Sequence, residues 1–252
     1  MPQRRTEVYA MAAPPDDDVL LARSLHCSRA GAPVLTDVSL GVRPGEVVAV
    51  LGPRGSGKTT LLRTLSGQLV PDGGEVHYDG SPVHTLSPPR RERLRREHFG
   101  WIGAEPALVP ELTVWENAAL PLLLRGESAR RARPRALEWL ERLDIDGVAE
   151  HRPARLTPSQ QQRTALARAL AGPPSLLFAD DPTAPLHGAD GALMLRTLLA
   201  AVRSHGVTTV LATCDPRIAA LADRTVVLLD GRRADTPAAT AAEGVAACSL
   251  SV

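Results

Sequence analysis

Gly52-Pro53-Arg54-Gly55-Ser56-Gly57-Lys58-Thr59 combines three glycines with a lysine and a hydroxyl at the spacing G-x-x-x-x-G-K-[ST]. Glycines at these positions allow a tight loop whose N–H groups surround phosphate oxygens, and a helix starting there directs its positive end at the anion. Lys58 would reach the β/γ-phosphates of a nucleotide and the Thr59 hydroxyl would ligate Mg²⁺. Thr60 is expected on the α-phosphate side. Lys58 is the only lysine in a chain of 252 residues, the other 28 basic residues being arginine. A second group belongs with this loop. Asp180 closes the apolar run Ser175-Leu176-Leu177-Phe178-Ala179. A carboxylate at the end of a buried strand can hold Mg²⁺ through water. It can also cap a turn, but beside a phosphate loop the metal role is preferred.

Such groups need strands that deliver them and helices that cover the strands. Residues 46–51, 175–180, 207–212 and 225–230 are short apolar runs, which mark strands buried on both faces. Residues 19–25 and 37–42 read as short strands around a polar turn, and 75–80 as a strand with a turn after it. Helical spacing follows the phosphate loop and recurs over 113–145, 157–171, 188–205 and 216–222. Thr113 is expected to be an N-cap, and Pro121 to break the apolar face 118–124. Residues 88–98 read as a basic, solvated helical face rather than a nucleic-acid patch. The stretch 88–170 is expected to contain helices only, as a helical subdomain inserted into an α/β core with a mostly parallel sheet. Residues 1–18 are expected to be a disordered lead and 235–252 a flexible tail.

Composition narrows the function classes. With 44% hydrophobic and 23% charged residues the chain has the makeup of a globular domain. Net charge of +1 and 3% aromatics argue against a nucleic-acid partner. No apolar run approaches a membrane span of about 20 residues, and no signal-peptide pattern is visible. Cys27, Cys214 and Cys248 lack metal spacing and read as reduced thiols, with Cys214 buried at a strand end.

The order of segments resembles the ATP-binding subunit of an ABC transporter over residues 19–234. The similarity is carried by VLTDVSLGVRPGEVVAVLGPRGSGKTTLLRTLSG, PELTVWENAALPLLLRG, QQQRTALARALAGPPSLLFADDPT and TCDPRIAALADRTVVLLDG. The wording of the second and third is most similar to the lipoprotein-release and macrolide-export branch. The resemblance implies a P-loop NTPase core of the ABC type with an inserted helical subdomain and an antiparallel β edge. It implies ATP and Mg²⁺ as cofactors and a separate membrane permease as partner. It also implies a homodimer or heterodimer of ATP-binding subunits, held in the cytoplasm at the inner face of the plasma membrane. Each nucleotide would then lie between the phosphate loop of one subunit and the signature motif of the other.

Matched position by position, the chain departs from the family pattern where chemistry is expected. The adenine-stacking aromatic aligns with Arg29, and the Q-loop glutamine with Ala104. The signature is Leu156-Thr157-Pro158-Ser159-Gln160. Thr157 suits an N-cap, Pro158 the first turn, and Thr157-x-x-Gln160 a capping box. Yet Pro158 has no N–H for a partner's γ-phosphate, and Ser159 adds a side chain where close approach is wanted. The hydrolytic glutamate aligns with Asp181, one methylene shorter. The D-loop aspartate aligns with His187, and the switch histidine with Cys214, ahead of a retained Asp215. These positions imply a subunit that binds MgATP with weak or lost hydrolysis. A fully active ATPase powering export, and a soluble regulatory protein of the same fold outside transport, are the alternative readings.

Overall fold

The computed structural model describes residues 17–186 and 188–234. Its centre is a sheet in the order β10 (Arg232–Ala234), β9 (Arg224–Leu229), β3 (Val47–Leu51), β8 (Thr208–Thr213), β7 (Leu176–Asp180), β6 (Phe99–Ile102). Every neighbouring pair is parallel except β10 with β9, a hairpin closed at Asp230-Gly231. A second, antiparallel sheet has the order β2 (Ala32–Val42), β1 (Leu20–Arg29), β4 (Gly73–Tyr78), β5 (Ser81–Pro82). This is the α/β P-loop architecture with an antiparallel β edge that the sequence implies.

Alternation along each central strand divides the interior in two. Leu176, Phe178, Val210 and Ala212 pack with Val48, Val50 and the antiparallel sheet around α1 (Lys58–Leu65). Leu177, Ala179 and Leu211 face the other way, against α3 (Val114–Leu124), α4 (Ala129–Arg142), α5 (Pro158–Ala171) and α6 (Gly188–Ser204). Burial on both faces explains why β3, β7 and β8 read as unbroken apolar runs.

Three expectations are corrected. The stretch 88–170 is not made of helices only. Phe99–Ile102 pairs in parallel with Leu176–Ala179, after α2 (Pro88–His98), a helix with no buried residue. Four residues, FGWI, are too few to show a strand period. The first two strands are also longer than expected. Their hairpin turns at Ala30-Gly31, both at positive φ (50° and 79°), the backbone that a tight two-residue β-turn demands. Register shifts near Ser24 and Asp37 interrupt the alternation that would have revealed their length. Finally, α3 runs through Pro121. Proline removes one backbone bond, but Val114, Ala118, Ala119 and Leu122 are fully buried along the helix, and packing holds it. At its start Thr113 forms a capping box with Glu116. The expected lead and tail fall outside the described residues, apart from Asp17 and Asp18.

Candidate functional site

The parallel register aligns the C-terminal ends of three strands, with Leu51 beside Thr213 and Asp180 beside Ala212. In open α/β sheets ligands bind beyond these ends. The phosphate loop leaves β3 there, tied to β8 by the Gly52 N–H donating to Thr213 O (3.2 Å). Gly52 is closely hemmed by Leu228 O and Ser56 Oγ, so no side chain fits. Gly57 is the N-cap of α1 at φ 98°, and a side chain there would meet Leu35 and Val34. No side chain caps α1, which leaves its first-turn N–H groups without a capping acceptor and suited to an anion.

Lys58 is buried and donates to Gly52 O (2.8 Å) and Pro53 O (2.9 Å). The loop's own carbonyls thus hold the ammonium over the loop, with one of its three N–H groups left for a ligand. Ser56 Oγ is buried and meets no hydrogen-bond partner among the described residues. Thr59 Oγ1 donates to Asp180 Oδ1 (3.1 Å), joining the start of α1 to the end of β7. Burial pushes the Asp180 carboxyl up, against the Thr59 bond and the charges of Arg63 and Lys58. Arg54 and Gly55 are exposed at the loop tip, while Pro53 and Thr60 are half-buried.

Asp181 follows in a left-handed conformation (φ 46°), its N–H donating to Ala212 O (3.0 Å). Burial raises its carboxyl, Lys58 pulls the other way and Asp180 adds to the rise. The N–H of Cys214 donates to it. Cys214 is half-buried rather than buried, because it lies one residue past the end of β8. Asp215 caps α7 (Pro216–Ala219) and pairs with Arg217 at 2.8 Å, which holds its carboxyl below the usual range. His187 lies outside the described residues.

The remaining positions stand apart within one chain. Arg29 is exposed at the end of β1, paired with Ala32. Further along β2, Val34 and Leu35 approach Gly57, so the hairpin lies beside the phosphate loop. Ala104 is half-buried just beyond β6. The Thr157–Gln160 capping box is formed, with the Gln160 N–H donating to Thr157 Oγ1 (3.3 Å) and the Thr157 N–H to Gln160 Oε1 (3.0 Å). Leu156 is buried, Thr157 and Pro158 are exposed and Ser159 is half-buried. Among the described residues no hydrogen bond or ion pair joins 156–160 to the phosphate loop.

Sequence reasoning missed Gln162. It is fully buried on α5, and its Nε2 donates to Gly103 O (2.8 Å) and Pro182 O (2.7 Å). The signal was a polar residue in the stripe of buried Ala165, Leu166 and Ala169.

A family model described as ABC transporter matches residues 35–184. The chain is 42% identical over 200 residues to the lipoprotein-releasing system ATP-binding protein LolD of Paramagnetospirillum magneticum, covering 79% of this chain and 88% of the relative. It is 41% identical over 199 residues to the uncharacterized ABC transporter ATP-binding protein YbbA of Escherichia coli K12, at 79% and 87% coverage. Among solved structures, the ATP-binding cassette MJ0796, a dimer in a post-hydrolysis state bound to ADP and Pi, superposes with a TM-score of 0.79 at 32% identity. The match covers 85% of this chain and 96% of that one.

Proposed function

We propose, because this chain belongs to the ABC transporter family, that it is a nucleotide-binding subunit which takes MgATP between two copies or paralogues, couples it to a separate permease, and hydrolyses it weakly. The reading rests on a contrast between the phosphate end and the positions set apart from it. The phosphate end is built, with Lys58 held by Gly52 O and Pro53 O and Thr59 bonded to Asp180. The positions that would act on water or on the partner's γ-phosphate have changed chemistry.

The donor set fits the metal. Thr59 and Asp180 offer a hydroxyl and one carboxylate, and Mg²⁺ is commonly held by few protein oxygens, with waters and phosphates completing its shell. When bound, the ion would neutralise charge on the phosphates. The chain's own part is to hold Lys58 and the first-turn N–H groups of α1 in place before nucleotide arrives. Asp181 occupies the base position with a raised carboxyl, which favours proton uptake. It is short by one methylene, and a base must lie within about 2.6–3.2 Å of the proton it takes. The Ala104 side chain has no polar atom to order a water, and the Cys214 side chain offers only a weak thiol donor. Loss of one such group costs on the order of 10²–10⁴ in rate. At the opposite site, Pro158 withholds an N–H from the neighbouring subunit's nucleotide.

No helix among the described residues is long and apolar enough to cross a membrane. In this reading attachment at the inner membrane face comes through the permease, and the name of one relative, an ATP-binding protein of a lipoprotein-releasing system, fits a subunit that works within a larger assembly.

The test is MgATP binding and hydrolysis by the purified chain, with Lys58→Ala as the blank. Calorimetry is expected to show MgATP binding that Lys58→Ala weakens, with turnover near the blank. Unchanged affinity in Lys58→Ala would remove the phosphate loop from the reading. Turnover well above the blank would establish the active-motor alternative. Asp181→Glu with Cys214→His should raise turnover only modestly while Pro158 and Ser159 remain, and full activity from these two changes would overturn the role given to the signature.

A further inference from the structure

We propose that Gln162 is a positioning residue that carries the nucleotide state of the phosphate site to the signature helix and to the segment after β6. The inference rests on the nucleotide-binding reading. One buried amide joins three segments. Its backbone belongs to α5, a little over one turn from Thr157 at the helix start. Its Nε2 gives one proton to Pro182 O (2.7 Å), the carbonyl next after Asp181, and the other to Gly103 O (2.8 Å), next before Ala104. Both partners are acceptors, which fixes the amide's orientation. Oε1 meets no donor among the described residues, so the side chain has no competing bond to turn toward.

The linkage matters because residue 104 has only a methyl group. A side-chain route from the nucleotide to the segment after β6 is closed at Ala104. The Gln162 route runs through main-chain carbonyls and does not need it. Any shift of Asp181 toward or away from a bound phosphate moves Pro182, and with it Gly103 and the start of α5. Buried hydrogen bonds of this kind do not stretch freely, so the three segments move together.

Trp101, two residues before Gly103, supplies the readout, since its indole lies against Gly103. In a full-length Trp115→Phe, Trp139→Phe background it is the only tryptophan. MgATP and its unreactive β,γ-imido analogue are titrated, with affinity read by calorimetry and Trp101 emission recorded in parallel. The expected result is an emission shift in the parent that is lost in Gln162→Met, while affinity stays within about threefold. Gln162→Glu separates positioning from packing, and serves also if the Met variant does not fold. Its shift should be absent near about pH 8 and return in part as pH falls toward about 5, because a protonated carboxyl restores one donor. A parent-like shift in Gln162→Met, a Gln162→Glu variant with no pH dependence, or a parent that binds MgATP with Trp101 silent would each overturn the linkage. A parent that fails to bind MgATP would instead remove the nucleotide-binding reading beneath it.

Discussion

Asp181 sits at φ 46° with the Cys214 N–H at its carboxylate and burial holding the group above the usual carboxylate value of 3.8. The folded protein therefore binds a proton here more tightly than the unfolded chain. Stability from this group is greatest below the unfolded value and is lost as pH rises through the raised folded one, so at neutral pH the ionised carboxylate is a cost. Asp181→Asn removes that cost and keeps an acceptor for Cys214, and asparagine tolerates left-handed backbone. The variant should melt above the parent at neutral pH, with the gap closing below about pH 4. A lower melting point at neutral pH would contradict the burial of charge at this position. The phosphate-loop residues were legible in the sequence because a few residue types at fixed spacing define them. Asp180 was legible from the strand it ends. The left-handed turn at Asp181 was not, since Asp is common in turns and in metal sites alike.

Helix α5 shows how a helix start is fixed by the few residues that flank it. Thr157 and Gln160 cap it reciprocally, and Pro158 fits the first turn, where a missing N–H costs nothing inside the helix. Thr157→Ala should destabilise the protein by about 1 kcal/mol in chemical denaturation, the usual worth of a lost N-cap. Pro158→Gly with Ser159→Gly keeps the box, returns an N–H and clears the approach. It should raise the MgATP-dependent dimer fraction in sedimentation. An unchanged fraction would mean that the signature does not limit assembly. This capping box could be read from sequence because it uses two residues three apart, whereas at α3 the reading reached only the N-cap Thr113, and its partner Glu116 came from the structure. Helix α3 could not be read through Pro121, nor β6 from four residues, because tertiary packing decides both. Gln162 escaped for a related reason: its partners, Gly103 and Pro182, are carbonyls distant in sequence, and carbonyls carry no residue signature.

At the scale of the molecule, the central sheet binds two cores through the same strands. Phe178 is fully buried at the middle of β7, edge-on to Phe99 and near Trp101. Phe178→Ala should cost about 3–5 kcal/mol by calorimetric or denaturant unfolding. A cost below about 1 kcal/mol would mean that the core collapses around the gap. The α/β order and most strands were legible because doubly buried strands are unbroken apolar runs. The outer antiparallel sheet was legible only in part, because its bulges disturb the alternation. The parallel register that lines up Leu51, Thr213 and Asp180 has one more consequence. Amides of residues 47–51 and 208–213 sit mid-sheet and would exchange with deuterium only when the domain opens as a whole. Those at the Ala30-Gly31 tip, exposed at the sheet edge, would exchange early. A molecule frayed at that tip keeps its phosphate loop intact, so opening around Arg29 and opening around Lys58 are separate events.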